Sequence, residues 1–339
     1  MNNEENDIER QELARRVGKN GDRILMEYFD DIGLANKTNN EINDLINRLR
    51  ICGVDIKKVF SECGRDSTLK TRVDRNQTIA IVFRFFRELG IDVSKLLEEG
   101  KYNNEREQAV YLSFNKGVKR NETTSPTFAG EDVHAYAKET GTLTDVYSLV
   151  HEISHTLYVQ NQFGEARMIL GEVIPQCMER MFDGYLIELA ERKEVDMDVK
   201  CLKKDITKRK ISTAIDRFRM TSRIAKGEYK FASEKAELSR YMLAQIYATQ
   251  LMEIDKSVRK QRIFDFMEAL KSNDIQKANN AFNMQIGKEN AKERDKYISN
   301  SIWNLQKDIL TFQEKEIPKE QTDRATRAIS KEDEKEPEM

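Results

Sequence analysis

The stretch Val146-Tyr147-Ser148-Leu149-Val150-His151-Glu152-Ile153-Ser154-His155-Thr156-Leu157-Tyr158 decides how the rest of the chain is read. Val146, Leu149, Val150, Ile153 and Leu157 recur at three- and four-residue intervals, the period of a helix with one buried face. Inside it stands His-Glu-x-x-His. Positions i and i+4 share a helical face, so His151 and His155 offer two imidazoles to one tetrahedral ion, zinc by ligand type. Glu152 sits beside them, placed to take a proton from water that the ion polarises. Between Asp145 and Glu165 it is the only acidic or basic side chain apart from the histidines, which suits a rigid, dry seat for a metal.

A hydrolytic zinc site needs a third protein ligand and an open position for water. A third histidine six residues on, preceded by glycine, is excluded, because those positions hold Tyr158 and Asn161. The other common solution is a glutamate on a following helix. Gly171-Glu172-Val-Ile-Pro175-Gln-Cys-Met-Glu179 offers two, and a seven-residue interval puts both on one helical face. Glu172 lies 17 residues past His155, room for a helix end, a turn through Gly164 and a returning helix. Glu172 is therefore read as the ligand, and Glu179 as the partner that orients a histidine N–H. Glu165 falls in the turn and is the lesser candidate.

Outward from this centre the chain is mostly helical. Before it, Ile24, Leu25, Tyr28 and Phe29 fall at helical spacing, as do Ile42, Leu45, Ile46 and Leu49. Thr78, Ile79, Ile81, Val82, Phe85 and Leu89 form a wider apolar face stopped by Gly90. These first hundred residues carry no evident chemistry and are expected to pack on, or close over, the segments that follow. Residues 105–145 change character: Val110, Leu112 and Phe114 alternate with Tyr111 and Ser113, and Thr123 to Gly130 reads as a loop. A small sheet is expected here. After Asp145, helices are marked by Ile211, Ala214, Ile215 and Phe218; by Leu238, Met242, Ala244, Ile246 and Leu251; and by Ile298, Ile302, Leu305 and Ile309. The second is apolar nearly all round, which implies burial. The Lys/Glu-rich residues 315–339 cannot bury enough surface to offset their ordering entropy and are expected to be disordered.

Thr144-Asp145-Val-Tyr-Ser-Leu-Val-His-Glu-Ile-Ser-His, followed by Glu172-Val-Ile-Pro-Gln-Cys-Met-Glu179, resembles the thimet oligopeptidase and oligoendopeptidase F family of zinc peptidases. In that family the first glutamate of the second motif ligates zinc, which supports Glu172. Tyr241-Met-Leu-Ala-Gln-Ile-Tyr247-Ala-Thr249 resembles the family's tyrosine-rich segment, and Phe264 to Ser272 resembles a later helix. The resemblance covers about residues 125–285. It implies short peptides as substrates, and Tyr247 or Tyr241 as hydrogen-bond donor to the oxyanion. The chain departs from the pattern at Ser154, where the family has glycine, and has no histidine after His155. His134 reads as a surface histidine.

Composition narrows the classes further. The 339 residues carry 57 basic and 59 acidic side chains, a balance that argues against a dedicated nucleic-acid binder. The locally basic run from Lys203 to Lys230 includes Lys208-Arg209-Lys210, Arg217, Arg219 and Arg223, interspersed with acids, and reads as a solvated helix face. Only 4 prolines and 15 glycines disfavour a turn-rich β fold, and no apolar run suits a membrane span. Cys52, Cys63, Cys177 and Cys201 form no metal-type pair and read as free thiols. The opening residues lack a signal peptide's basic and apolar regions, so a cytoplasmic location is expected.

Together these readings predict a mainly α, gluzincin-like fold with a small β-sheet near residues 105–145. An N-terminal helical region (1–100) precedes a zinc peptidase domain (101–314) and a charged tail (315–339). The expected function is peptide hydrolysis with one Zn²⁺ per chain and Glu152 as general base. The alternatives are a regulatory protease with one protein partner, or a helical scaffold in which catalysis has lapsed.

Overall fold

The structure is a computed structural model that describes residues 23, 31–63, 69–93, 110–115, 133–138, 140–157, 165–230, 232–286 and 290–314. The expected segments around Ile24 to Phe29, the loop Thr123 to Gly130 and the tail 315–339 lie outside these residues. The elements run Asp31–Ile51 (α1), Ile56–Glu62 (α2), Arg75–Glu88 (α3), Val110–Asn115 (β1), Val133–Lys138 (β2), Leu143–Thr156 (α4) and Glu165–Leu170 (α5). There follow Val173–Glu191 (α6), Val199–Ala225 (α7), Ala232–Glu253 (α8), Lys256–Lys271 (α9), Ile275–Ala281 (α10) and Ala291–Phe312 (α11). The chain is mainly helical. Among the described residues two short strands pair in parallel, with Val110 opposite Val133 and Asn115 opposite Lys138.

Local chemistry sets the helix ends. Asp74 and Gln77 form a reciprocal capping box at the start of α3, each side chain bonding the other's backbone N–H (2.9 and 3.2 Å). At its far end Gly90 adopts φ +75°, a left-handed turn that an L side chain resists. α6 begins just after Glu172, and Pro175 falls in its first turn, where a missing N–H leaves no intrahelical bond unmade.

The all-round apolar helix is α8, which packs against α5, α6, α7, α9 and α11. Its Met242, Leu243, Ala244, Ile246, Tyr247, Ala248 and Leu251 are all buried, which accounts for the absence of a polar stripe. One apolar cluster runs from Leu34 to Leu310, and α1 lies along both α7 and α11. The N-terminal helices thus share the core of the segments after residue 140. Phe85 of α3, Tyr147 of α4 and Phe182 of α6 meet edge to face, with Phe182 at 5.1 and 5.4 Å from the other two ring centres. All four cysteines are free thiols. Among the described residues no helix is long and apolar enough to cross a membrane.

Two buried aspartates fix the entry to α4. Asp145 accepts from the backbone N–H groups of Thr140 and Gly141 and from the Thr140 hydroxyl, and lies in the first turn, where a negative charge suits the helix dipole. Asp205 of α7 accepts from Lys70 N–H, Thr71 N–H and Thr71 Oγ1 at 2.7 to 2.8 Å. Thr71 in turn takes the Leu143 N–H at 3.1 Å, so α7 holds the strap on which α4 starts. Asp205→Ala strands three donors of that strap. The expected cost is about 3 kcal/mol, read as a Tm drop of roughly 5 °C in a thermal melt; an unchanged Tm would mean the strap is held without Asp205.

Candidate metal centre

His151 and His155 project from one face of α4, one turn apart. Their rings meet edge to face with centres 4.9 Å apart, and the two Nε2 atoms approach to 3.2 Å. Glu172 enters from the residue that caps α6, Oε2 lying 3.4 Å from His151 Nε2 and Oε1 3.8 Å from His155 Nε2. A tetrahedral ion about 2.0–2.2 Å from each donor requires donors about 3.4 Å apart. The three separations bracket that figure. Glu172 is also buried, and its Oε2 is sealed from solvent without a hydrogen bond. A polar oxygen left so in a native interior calls for a partner, and a cation among these donors supplies one. His151, His155 and Glu172 therefore form a cluster compatible with a metal ion.

The surroundings hold the donors in place. Glu179, seven residues after Glu172, puts Oε1 2.7 Å from His151 Nδ1. An acceptor there fixes the imidazole with Nδ1 protonated and Nε2 turned to the other donors. Arg209 of α7 pairs with the other oxygen of Glu179, and Arg240 of α8 lies 3.6 Å from Glu172 Oε1. Ser154, where the resembled family has glycine, is fully buried and donates its hydroxyl to the Val150 carbonyl at 2.6 Å. The hydroxyl bonds back onto its own helix and leaves the face of the histidines alone.

Charge at the site is set by burial and neighbours. Burial alone would lower the His151 pKa, but the Glu172 and Glu179 carboxylates outweigh it and raise it to about 10. Burial opposes ionisation of Glu172, yet His155, His151 and Arg240 hold it well below the usual carboxylate range. Glu179 is likewise held low against its burial, by Arg209 and His151. Glu152 differs. Burial, with Glu172 and Glu179 adding to it, pushes its pKa up to about 7, and its Oε2 is buried without a hydrogen bond.

The two tyrosines part company. Tyr241 is partly buried on α8, the Arg217 guanidinium 4.0 Å from its ring centre, and the Glu172 charge, ahead of burial, raises its pKa to about 12. Tyr247 lies six positions on, about 240° round the helix. It is fully buried between Phe266 and Phe282, and its hydroxyl donates to Asn279 Oδ1. Tyr247 is a core residue whose hydroxyl is committed to Asn279, which leaves it no donor for the expected oxyanion role. Arg219 and Arg223 face solvent as expected, but Arg209 turns inward to Glu179 and Arg217 lies over the Tyr241 ring. Their eight-residue interval beside the buried Ile206, Ala214 and Phe218 is the signal that marks an inward stripe. Position 134 lies in β2 opposite Tyr111; the His134 side chain lies outside the described residues.

No known family model matches this chain, and no curated protein matches it. A solved structure described as "BsuCP Crystal Structure" is similar at 14% identity and a TM-score of 0.41, over 80% of this chain and 66% of that one. The chain thus spans just under two thirds of that neighbour's length.

Proposed function

We propose that this protein is a zinc-dependent peptidase, with His151, His155 and Glu172 as the zinc ligands. The observation that carries the reading is Glu152, a buried carboxylate with an unbonded oxygen beside a two-histidine, one-glutamate donor set. Imidazole and carboxylate donors in tetrahedral array suit zinc best among the common divalent ions. Zinc held there supplies a Lewis acid that polarises both a water and the scissile carbonyl. Glu152 takes the attacking water's proton and later delivers it to the leaving amine. Burial raises the Glu152 pKa and with it its strength as a proton acceptor. Glu179 holds the proton on His151 Nδ1, so Nε2 is the nitrogen that would release its proton to bind an ion. Tyr241, whose raised pKa keeps its hydroxyl protonated, donates to the oxyanion. The motif resemblance points to short peptides as substrates.

Elemental analysis of the purified protein is expected to find one zinc per chain. A mixed pool of short peptides is expected to be cleaved, the cleavage stopping with a chelator and returning with added zinc. A protein that carries no zinc and takes none up overturns the reading and leaves the scaffold alternative. A zinc protein that spares the pool points to a protease with one protein partner.

A further inference from the structure

We infer that Arg209 is a positioning residue for the metal site, acting through Glu179 on the His151 ring. The inference rests on the zinc reading of His151, His155 and Glu172, and concerns a residue outside that donor set.

The geometry is a two-rung ladder. On α4, Tyr147 and His151 are four residues apart; on the facing α6, Asp183 and Glu179 are four apart. Each donor meets its own acid. Tyr147 donates its hydroxyl to Asp183 Oδ1 at 2.5 Å, and His151 Nδ1 lies 2.7 Å from Glu179 Oε1. Arg209 enters from α7 and closes the ladder on both rungs. Its guanidinium carbon stands 3.6 Å from the Tyr147 ring centre, within cation–π range, while Nη2 pairs with Glu179 Oε2.

Without Arg209, Glu179 has one bonded oxygen and a free torsion at its carboxylate. With Arg209, both oxygens are committed, and the planar fork rests on a fully packed aromatic face, so the carboxylate plane is set. His151 Nδ1 then has one acceptor in one place, and the Nε2 lone pair one direction. The contact with Glu179 is made through Nη2 alone, so a lysine would keep both the charge and a donor for Oε2 and lose only the plane that lies on the Tyr147 ring. Asp183 is drawn to the adjacent Lys210, 3.6 Å away, so the second rung is tied to α7 as well. Three helices thereby converge on the orientation of one imidazole.

The test measures zinc affinity by competition with a chromophoric chelator, and the visible spectrum of the Co²⁺-loaded protein. Arg209→Met keeps the stem and removes the fork; zinc affinity is expected to fall about 10–100-fold, the range for partners behind a metal ligand. Arg209→Lys is expected to recover most of that loss. In a Glu179→Gln background, Arg209→Met is expected to add little, because the two act through one interaction. The Co²⁺ bands are expected to shift in Arg209→Met and return in Arg209→Lys. Should Arg209→Met fail to fold, Arg209→Gln takes its place under the same expectations. Wild-type zinc affinity in the folded neutral variant overturns the inference, as do additive losses with Glu179→Gln, which would mark a purely structural arginine. Failure of the wild type to take up zinc overturns the underlying reading.

Discussion

Glu152→Gln is expected to lower peptide hydrolysis by about 10²–10⁴-fold, the usual worth of a positioned general base, while zinc content stays at one per chain. The substitution exchanges a carboxylate for an amide of nearly the same shape. Glu152 is 7% exposed and holds no place in the three-donor cluster, so the ligands and their packing should survive it. What it removes is a proton acceptor. The amide cannot take a proton at any working pH, so a loss in kcat that no pH recovers is the expected signature. Retention of more than about a tenth of wild-type turnover would fall below the lower bound for such a base and remove Glu152 from the mechanism.

The same residue shows how far a sequence reaches. His151, Glu152 and His155 were legible because helical period and motif spacing are local, and α4 follows the expected face. The Glu172–Glu179 pair was legible for the same reason. Both lie at α6, with Glu172 at its cap and Glu179 two turns on. Helix assignments around Ile42 to Leu49, Thr78 to Leu89 and Ile298 to Ile309 rest on equally local periods. Where two helices must meet, the sequence says less. Tyr241 and Tyr247 share α8, an all-round apolar helix with no polar stripe to mark its inward side, so only packing separates the tyrosine near Glu172 from the one bonded to Asn279. Arg209 and Arg217 sat in a run of charges whose ordinary fate is solvent. The acid that Arg209 pairs with comes from α6, thirty residues earlier, and the ring under Arg217 comes from α8; partners at such distances leave no trace in the local pattern. Asp205 is similar: its three donors lie at Lys70 and Thr71, across more than a hundred residues.

Glu172→Ala is expected to weaken zinc binding by at least about 10³-fold, well past the 10–100-fold typical of partners behind the ligands. Two effects act together. One donor of three is gone, leaving a two-histidine site with no anionic ligand. In addition, Arg240, 3.6 Å from the Glu172 carboxylate, loses the charge that balances it and stands as an unopposed cation beside the incoming ion. Neither effect touches the apolar face of α6, where Ile174, Cys177, Met178 and Phe182 remain packed. The variant should therefore fold and still lack zinc, which a melt distinguishes from simple unfolding. At a thousand-fold excess of zinc over Kd, the wild type is expected to gain about 4 kcal/mol of stability by mass action. Glu172→Ala should show a cooperative melt that zinc barely moves. If the variant instead holds zinc as tightly as the wild type, Glu172 is not a ligand. The buried Glu172 carboxylate would then owe its place to Arg240, and the third donor would have to be sought elsewhere in the chain.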